Sequence, residues 1–496
     1  MKQNRREFIT KSTCALGMAT LATQVEHFGL MTALAQKTDD AQPDVPSDYR
    51  ALVCLFMAGG NDGNNTIIPN HSDANLSNYT TYFNARNAAG LAIPQSSLLP
   101  ISVPKMGGLT YGLNPALGPM TQNGNTIVNN GIHELWAQGK MAVVANAGTL
   151  VAPLTRAQYQ NRSVARPFQL FSHSDQVSQY QGGRADQQTF TGWGGRISDL
   201  RTAPDNPNGL VPMITSINGA QLFTAGQTTL PLAIANSLTP LNQVLNPQLT
   251  GVGTTTRLAA FNELRTQDLS SNYIKAASNI TDQAMQANSA LGNNPMEVTV
   301  AFPNTGLGYQ LKQVARLIKK RTDLTVNRQV FYVQIGSFDT HNGQLAGQGN
   351  LLTQFSQAVR SFYNEMVTQG ISDKVTLFTM SDFSRTLNPA GVGASAGSDH
   401  AWANHLFVLG GSVLGGDFYG TNTSNGTPYP NLTMNGPDDA DSGTTARGRW
   451  IPTTSVEQYA ATLARWYGLP ETNMSSVFPN YNNFISTGTN LGFMQP

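Results

Sequence analysis

From Ala51 to Ala58 the chain runs Ala-Leu-Val-Cys-Leu-Phe-Met-Ala, apolar at every position, and stops at Gly59-Gly60. Such a run leaves no face for water. It fits a strand covered on both sides, as in a parallel sheet with helices above and below it. Three segments repeat the pattern, Met141 to Ala145, Val330 to Ile335 and Val375 to Met380, and Leu406 to Leu409 is a shorter fifth. Amphipathic helical spacing lies beside or between them, over 127–138, 309–320, 351–368 and 456–467. In the third of these, Phe355, Val359, Phe362 and Met366 share a stripe, and in the last Tyr459, Leu463 and Trp466 do. Strand and helix in alternation predict an α/β domain with a mostly parallel sheet.

The stretch from about 205 to 294 breaks that rhythm. It is rich in Asn, Gln, Thr and Ser and reads as an insertion or cap, helical over 257–265 and 272–287, or else as a lid facing substrate. Residues 417–448, rich in Gly, Asn and Pro, read as a long ordered loop.

Ligands of open α/β sheets bind beyond the carboxyl ends of the strands, and the polar residues gather there. The first run exits into Gly59-Gly60-Asn61-Asp62-Gly63, where Asp62 is a candidate ligand or simply a turn or helix cap. The third exits into Phe338-Asp339-Thr340-His341, offering a carboxylate and an imidazole two residues apart. The fourth exits into Ser381-Asp382-Phe383-Ser384-Arg385, with Asp382 at the strand end and Arg385 as a cation for an anionic group or an ion-pair partner of Asp382 or Asp399. Asp399-His400-Ala401-Trp402-Ala403-Asn404-His405 follows, although His405 at a strand start is equally a buried core histidine. Asp and His recurring at successive strand ends suit Zn²⁺ or a similar divalent ion, Mn²⁺, Mg²⁺ and Ca²⁺ being the alternatives. Two such ions about 3.5–4 Å apart clamp the attacking and leaving oxygens of an ester. Ser172-His173 adds a hydroxyl beside an imidazole, the elements of an activated nucleophile or of a polar loop.

At the amino end, Asn4-Arg5-Arg6-Glu7-Phe8 is followed by an uncharged, mostly apolar stretch from Ser12 to Thr23 and by Ala33-Leu34-Ala35. A charged start, a short apolar run and a small-residue exit predict a signal peptide over residues 1–35 that addresses the twin-arginine export machinery. The run is too short to span about 30 Å of hydrocarbon, and no later stretch is apolar enough to span a membrane. The expected mature chain, 36–496, is one α/β domain with its insertion, working in the periplasm or outside the cell. Cleavage removes Lys2, Arg5, Arg6 and Lys11 with Glu7 and Glu26, so the net charge moves from +1 to about −1. A near-neutral surface without basic runs argues against nucleic acid as a partner. Cleavage also removes Cys14, leaving Cys54 as a lone core thiol.

In order, these signals resemble the bacterial family called domain of unknown function 1501. The resemblance is carried by Phe56-Met57-Ala58-Gly59-Gly60-Asn61-Asp62-Gly63-Asn64-Asn65-Thr66, Ser172-His173, Gly192-Trp193-Gly194-Gly195-Arg196 and Phe338-Asp339-Thr340-His341. Ser381 to Thr386, Asp399 to His405, Arg447-Gly448-Arg449-Trp450 and Val477-Phe478-Pro479 complete it. That family is similar to the alkaline phosphatase and sulfatase superfamily, which implies a doubly wound sheet and one or two metal ions. By position, the resemblance implies Asp62 on a first metal and Asp339 and His341 on a second. Asp382 would be the late strand-end aspartate, His400 or His405 would fill the remaining histidine roles, and Ser172 would attack. Phe383 stands where the superfamily carries His. The expected function is an exported, metal-dependent hydrolase of small phosphate or sulfate esters. Its alternative is a non-catalytic metal-binding or assembly protein on the same scaffold.

Overall fold

The computed structural model of the chain describes residues 48–122, 125–126, 130–229, 231–244, 285–292 and 297–496, with scattered positions between 256 and 282. The export leader expected at 1–35 and most of the helices expected at 257–265 and 272–287 lie outside the described residues.

Among the described residues, nine strands form one sheet: β1 (Arg50–Met57), β2 (Met141–Gly148), β3 (Ile214–Ser216), β4 (Leu232–Ala233), β5 (Arg328–Ile335), β6 (Val375–Ser381), β7 (Asn404–Gly410), β8 (Phe418–Tyr419) and β9 (Thr454–Ser455). The order is β8-β2-β7-β6-β1-β5-β3-β4, with β9 also paired to β2. β1 lies between β5 and β6 and is parallel to both. Of these nine, only β7 is reversed, antiparallel to β6 and to β2. Its first residues, Asn404 and His405, therefore sit at the edge where the other strands end.

β1 alternates between two cores. Ala51, Val53, Leu55 and Met57 join one apolar cluster, while Leu52, Cys54 and Phe56 join the other. Five helices flank the sheet: α1 (His173–Gly182), α2 (Trp193–Asp205), α3 (Gly306–Lys319), α4 (Gln344–Thr368) and α5 (Val456–Tyr467). α3 and α4 cover the first cluster with Leu311, Val314, Phe355 and Val359, and α2 and α5 cover the second with Trp193, Ile197, Tyr459 and Leu463. The fold is a mixed α/β one, with a mostly parallel sheet wound on both faces. Cys54 is free and buried, and burial raises its thiol pKa well above the ordinary value.

Two local differences from the sequence reading have physical causes. Ile214–Ser216 and Leu232–Ala233 fall in the stretch read as an insertion, yet they are the last two strands at one end of the sheet, β3 being paired in parallel with both β5 and β4. Strands this short carry too little apolar periodicity to stand out from polar flanks. The loop expected at 417–448 contributes β8 at its start.

Glu457 lies in the first turn of α5, wholly buried, and burial pushes its pKa up to about 7. An unfolded glutamate titrates near 4.5, so between pH 4.5 and 7 the unfolded chain gives up a proton that the fold retains. Stability from this group is complete below that window and is lost as pH rises through it. Glu457→Gln is expected to stabilise the protein at pH 8 relative to pH 5 by roughly 1–3 kcal/mol, measured by chemical denaturation at the two pH values. An equal effect at both would contradict this burial.

Candidate metal centre

Three strand exits meet at one guanidinium. Gly59 and Gly60 leave β1 with φ of +110° and +82°, and a Cβ on Gly59 would stand 2.4 Å from the Asp339 backbone nitrogen in the loop after β5. Only glycine allows that approach. Arg385, buried in the loop after β6, donates from Nε to the Gly60 carbonyl at 3.0 Å and from Nη1 to the Ser398 carbonyl at 3.2 Å. Its Nη2 reaches the Gly59 carbonyl and lies 2.5 Å from Asp339 Oδ1. Partial burial alone would raise the pKa of Asp339, but Arg385 and the neighbouring histidines outweigh it and hold the carboxyl below its ordinary 3.8.

Around Asp339 Oδ1 stand three imidazoles. His173 opens α1, and its Nε2 lies 3.4 Å from Asp339 Oδ1 and 3.1 Å from His400 Nε2. His341 Nε2 lies 3.1 Å from Asp339 Oδ1 and 3.0 Å from His400 Nε2. His400 Nε2 is itself 3.6 Å from Asp339 Oδ1. The donors of His173, Asp339 and His400 all lie within 4.8 Å of one another.

The other ring nitrogens explain why the Nε2 atoms converge. His173 Nδ1 is 2.7 Å from Asp382 Oδ2, and His400 Nδ1 is 2.7 Å from the Phe171 carbonyl. A carbonyl only accepts, so Nδ1 of His400 carries the proton and its Nε2 offers a lone pair. His341 Nδ1 faces Asp399 Oδ1 at 3.3 Å. Each imidazole thus turns Nδ1 to an acceptor and Nε2 to the centre, the arrangement in which outer carboxylates and carbonyls orient metal-ligating histidines. The hydrogen bond to Asp382 raises the pKa of His173 above its ordinary 6.5, whereas burial lowers that of His400.

Not every expected residue joins this centre. Asp62 is not among the converging donors: it is buried, Arg86 Nη1 lies 2.5 Å from Oδ2 and Nη2 3.2 Å from Oδ1, Gln344 Nε2 binds Oδ2, and the Asn64 amide donates to Oδ1 at 3.0 Å. These four contacts occupy both oxygens. His405 is in the core rather than at the centre. It accepts from the Asn146 amide at 3.3 Å, stacks on Tyr429 at 4.9 Å, and burial lowers its pKa to about 3. Ser172 precedes α1 and donates to Asp175 Oδ2 at 2.6 Å. Asp382 and Asp399 stand behind histidines instead of facing the centre, and Arg385 binds three carbonyls and Asp339, with Nη1 also 3.4 Å from His341 Nε2. Sequence reasoning missed Arg86, Gln344 and the Phe171 carbonyl. Nothing in the spacing links position 86 to 62, and a backbone acceptor leaves no mark in a sequence.

Fold and site together define an α/β protein with a histidine-carboxylate constellation at the carboxyl edge of its sheet. The chain belongs to the family described as protein of unknown function DUF1501, whose pattern it matches over residues 49–431. No curated protein matches it. Among solved structures it is similar to a protein in the alkaline phosphatase superfamily from Vibrio parahaemolyticus, at 9% identity and a TM-score of 0.32, over 90% of this chain and 75% of that one. It is also similar to the PsFucS1 sulfatase from Pseudoalteromonas sp., at 9% identity and a TM-score of 0.25, over 80% and 67% of the two chains. The periplasmic domain of EcEptC from Escherichia coli, solved in complex with Zn, gives 10% identity and a TM-score of 0.25, over 74% and 75%.

Asp62→Ala leaves the Arg86 charge buried without its carboxylate. It is expected to cost about 3–5 kcal/mol in chemical denaturation while leaving the metal content of the folded fraction unchanged. Loss of metal without loss of stability would make Asp62 a ligand.

Proposed function

We propose that this protein is a metal-dependent hydrolase acting on small anionic esters of phosphate or sulfate, with one divalent ion at the Asp339 centre. The observation that carries the proposal is the shared orientation of His173, His341 and His400, each with Nδ1 against an acceptor and Nε2 turned toward Asp339 Oδ1. The residues fit such an ion. Two neutral imidazole lone pairs and a carboxylate packed at 3.1–3.6 Å repel one another unless a cation or a proton lies between them. Donors about 2.0–2.2 Å from a tetrahedral ion stand apart by a similar spacing. His173, Asp339 and His400 would hold the ion, and the fourth position would go to His341 or, during turnover, to the ester oxygen, since His341 Nε2 also has Arg385 Nη1 at 3.4 Å as a partner. The set of imidazoles with one carboxylate favours Zn²⁺ over Mn²⁺, Mg²⁺ or Ca²⁺. Bound there, the ion would polarise a phosphoryl or sulfuryl oxygen.

The chain's own residues do the rest. Arg385 fixes Asp339, and Asp382 fixes His173. The side chains of Asp339 and His341 are 49% and 45% exposed, so an ester can reach the centre from solvent. With Ser172 held by Asp175, the attacking group in this proposal is water. It adds to phosphorus or sulfur as the ester P–O or S–O bond breaks, and the alcohol leaves with a proton. The leader at 1–35 belongs to the same proposal, because twin-arginine transport carries folded proteins to the periplasm or beyond and suits one loaded with metal beforehand.

A second reading has one observation in its favour. The Phe383 ring packs at 4.6 Å from His173 and 4.7 Å from His400, apolar bulk against two of the donors. That suits a metal-binding or assembly protein that performs no hydrolysis.

Elemental analysis of the purified protein tests both readings. One equivalent of divalent metal per chain is expected, abolished by Asp339→Ala or His400→Ala, with turnover of an aryl phosphate or sulfate. Metal without turnover favours the second reading, and no uptake of any of the four ions refutes both. The proton on His173 competes with the metal, so affinity should fall as pH drops through the raised pKa of that group, as competition with a chelator at pH 6 and pH 8 would reveal. An affinity unchanged between those pH values would contradict a role for His173 as ligand.

A further inference from the structure

The Arg447-Gly448-Arg449-Trp450 turn lies behind the ring of imidazoles, on the side of their outer acceptors. We propose that Arg447 and Arg449 are positioning residues that hold His341 and His400 in the orientation needed to bind the ion. The inference rests on the proposed metal centre and adds to it the source of the ligand geometry.

The turn that carries the two arginines is built to be rigid. Gly448 has φ of +72°, and a Cβ there would meet the Leu387 Cβ at 2.7 Å. Asp439, wholly buried, accepts from the Gly448 amide at 3.2 Å and the Arg449 amide at 3.1 Å, and the Arg447 amide donates to Asp441 Oδ2 at 3.0 Å. Trp450 Nε1 donates to Asn64 Oδ1 at 2.9 Å, tying the base of the turn to the exit of β1.

From this base each guanidinium ends on the support of a different histidine. Arg447 Nη1 pairs with Asp399 Oδ2, and the other oxygen of Asp399 faces His341 Nδ1 at 3.3 Å. Arg449 Nε donates to the His400 carbonyl at 2.7 Å, while its guanidinium lies 4.9 Å from the centre of the Phe171 ring. Phe171 supplies the carbonyl that takes the proton of His400 Nδ1, and it does so from φ of +70°. A bulky residue adopts that conformation only where its surroundings hold it. Arg449 over the ring and Gln176 Oε1, which accepts from the Phe171 amide at 2.7 Å, are those surroundings. Asp441 in turn fixes Arg449, with oxygens 3.0 and 3.2 Å from Nη1.

The two arginines differ in what a lysine can replace. Arg447 makes one ion pair and its side chain is 35% exposed, so an ammonium group can serve. Arg449 bonds a carbonyl and a carboxylate while covering an aromatic ring, which a single ammonium group cannot do at once.

The test is titration of the metal-stripped mature protein with Co²⁺, followed by visible absorption and chelator competition. Arg449→Met and Arg449→Lys are both expected to raise the Co²⁺ Kd about 10–100-fold and to alter the absorption bands, with the stoichiometry unchanged. Arg447→Met should weaken binding, and Arg447→Lys should restore it. Asp339→Ala should abolish binding outright, which separates a ligand from a positioning residue. Wild-type Kd and absorption bands in both methionine variants would overturn the proposal while leaving the centre intact. Equal losses in Arg447→Lys and Arg447→Met would overturn it for Arg447. Wild-type protein that takes up no Co²⁺ would overturn the centre and this inference together.

Discussion

One buried guanidinium organises the carboxyl edge of this sheet. Removing an unpaired arginine from water is expensive, and the cost is tolerable only where every donor finds an acceptor in good geometry. Arg385 meets that demand with the carbonyls of Gly59, Gly60 and Ser398 and the carboxylate of Asp339. Those acceptors belong to the exits of β1 and β5 and to the segment before β7. A single side chain thereby fixes how three loops meet, and the position of Asp339 follows from it. The glycines at 59 and 60 matter for the same reason, because their carbonyls must turn toward the guanidinium at positive φ.

Proximity of titratable groups is common on protein surfaces and means little by itself. What distinguishes this constellation is the shared orientation of its imidazoles, each with Nδ1 turned outward to a carboxylate or carbonyl. His173 and His400 face each other at 3.1 Å; the hydrogen bond to Asp382 raises the pKa of His173 and burial lowers that of His400, so His173 holds its proton the more readily. A metal would take the place of that proton. Phe383, packed against both rings, restricts how they can turn.

Much of the scaffold was legible in the sequence because buried parallel strands write themselves as unbroken apolar runs. β1, β2, β5, β6 and β7 each contain such a run, and α5 matches the expected 456–467. β3 and β4 were missed because three- and two-residue strands have no periodicity to detect, and the reversal of β7 leaves no trace in composition. At the site, the meeting of Asp339, His341 and His400 was legible because successive strand exits of a parallel sheet open onto one edge. Asp62 was open to two readings for a physical reason. A carboxylate after a glycine turn serves a metal or an arginine equally well, and Arg86, which decides between them, is brought in by tertiary packing. His405 was equally open, since burial against Tyr429 depends on the antiparallel course of β7.

The central claim concerns a place more than a reaction: that one cation sits between His173, Asp339 and His400. Anomalous diffraction at the zinc edge, from crystals of the protein grown with Zn²⁺, addresses it directly. The account predicts one strong peak bounded by the Nε2 atoms of His173 and His400 and by Asp339 Oδ1, with Nδ1 of each ring still on its outer acceptor. A peak at Asp62, or no peak and a hydrogen bond linking His173 to His400, would contradict it.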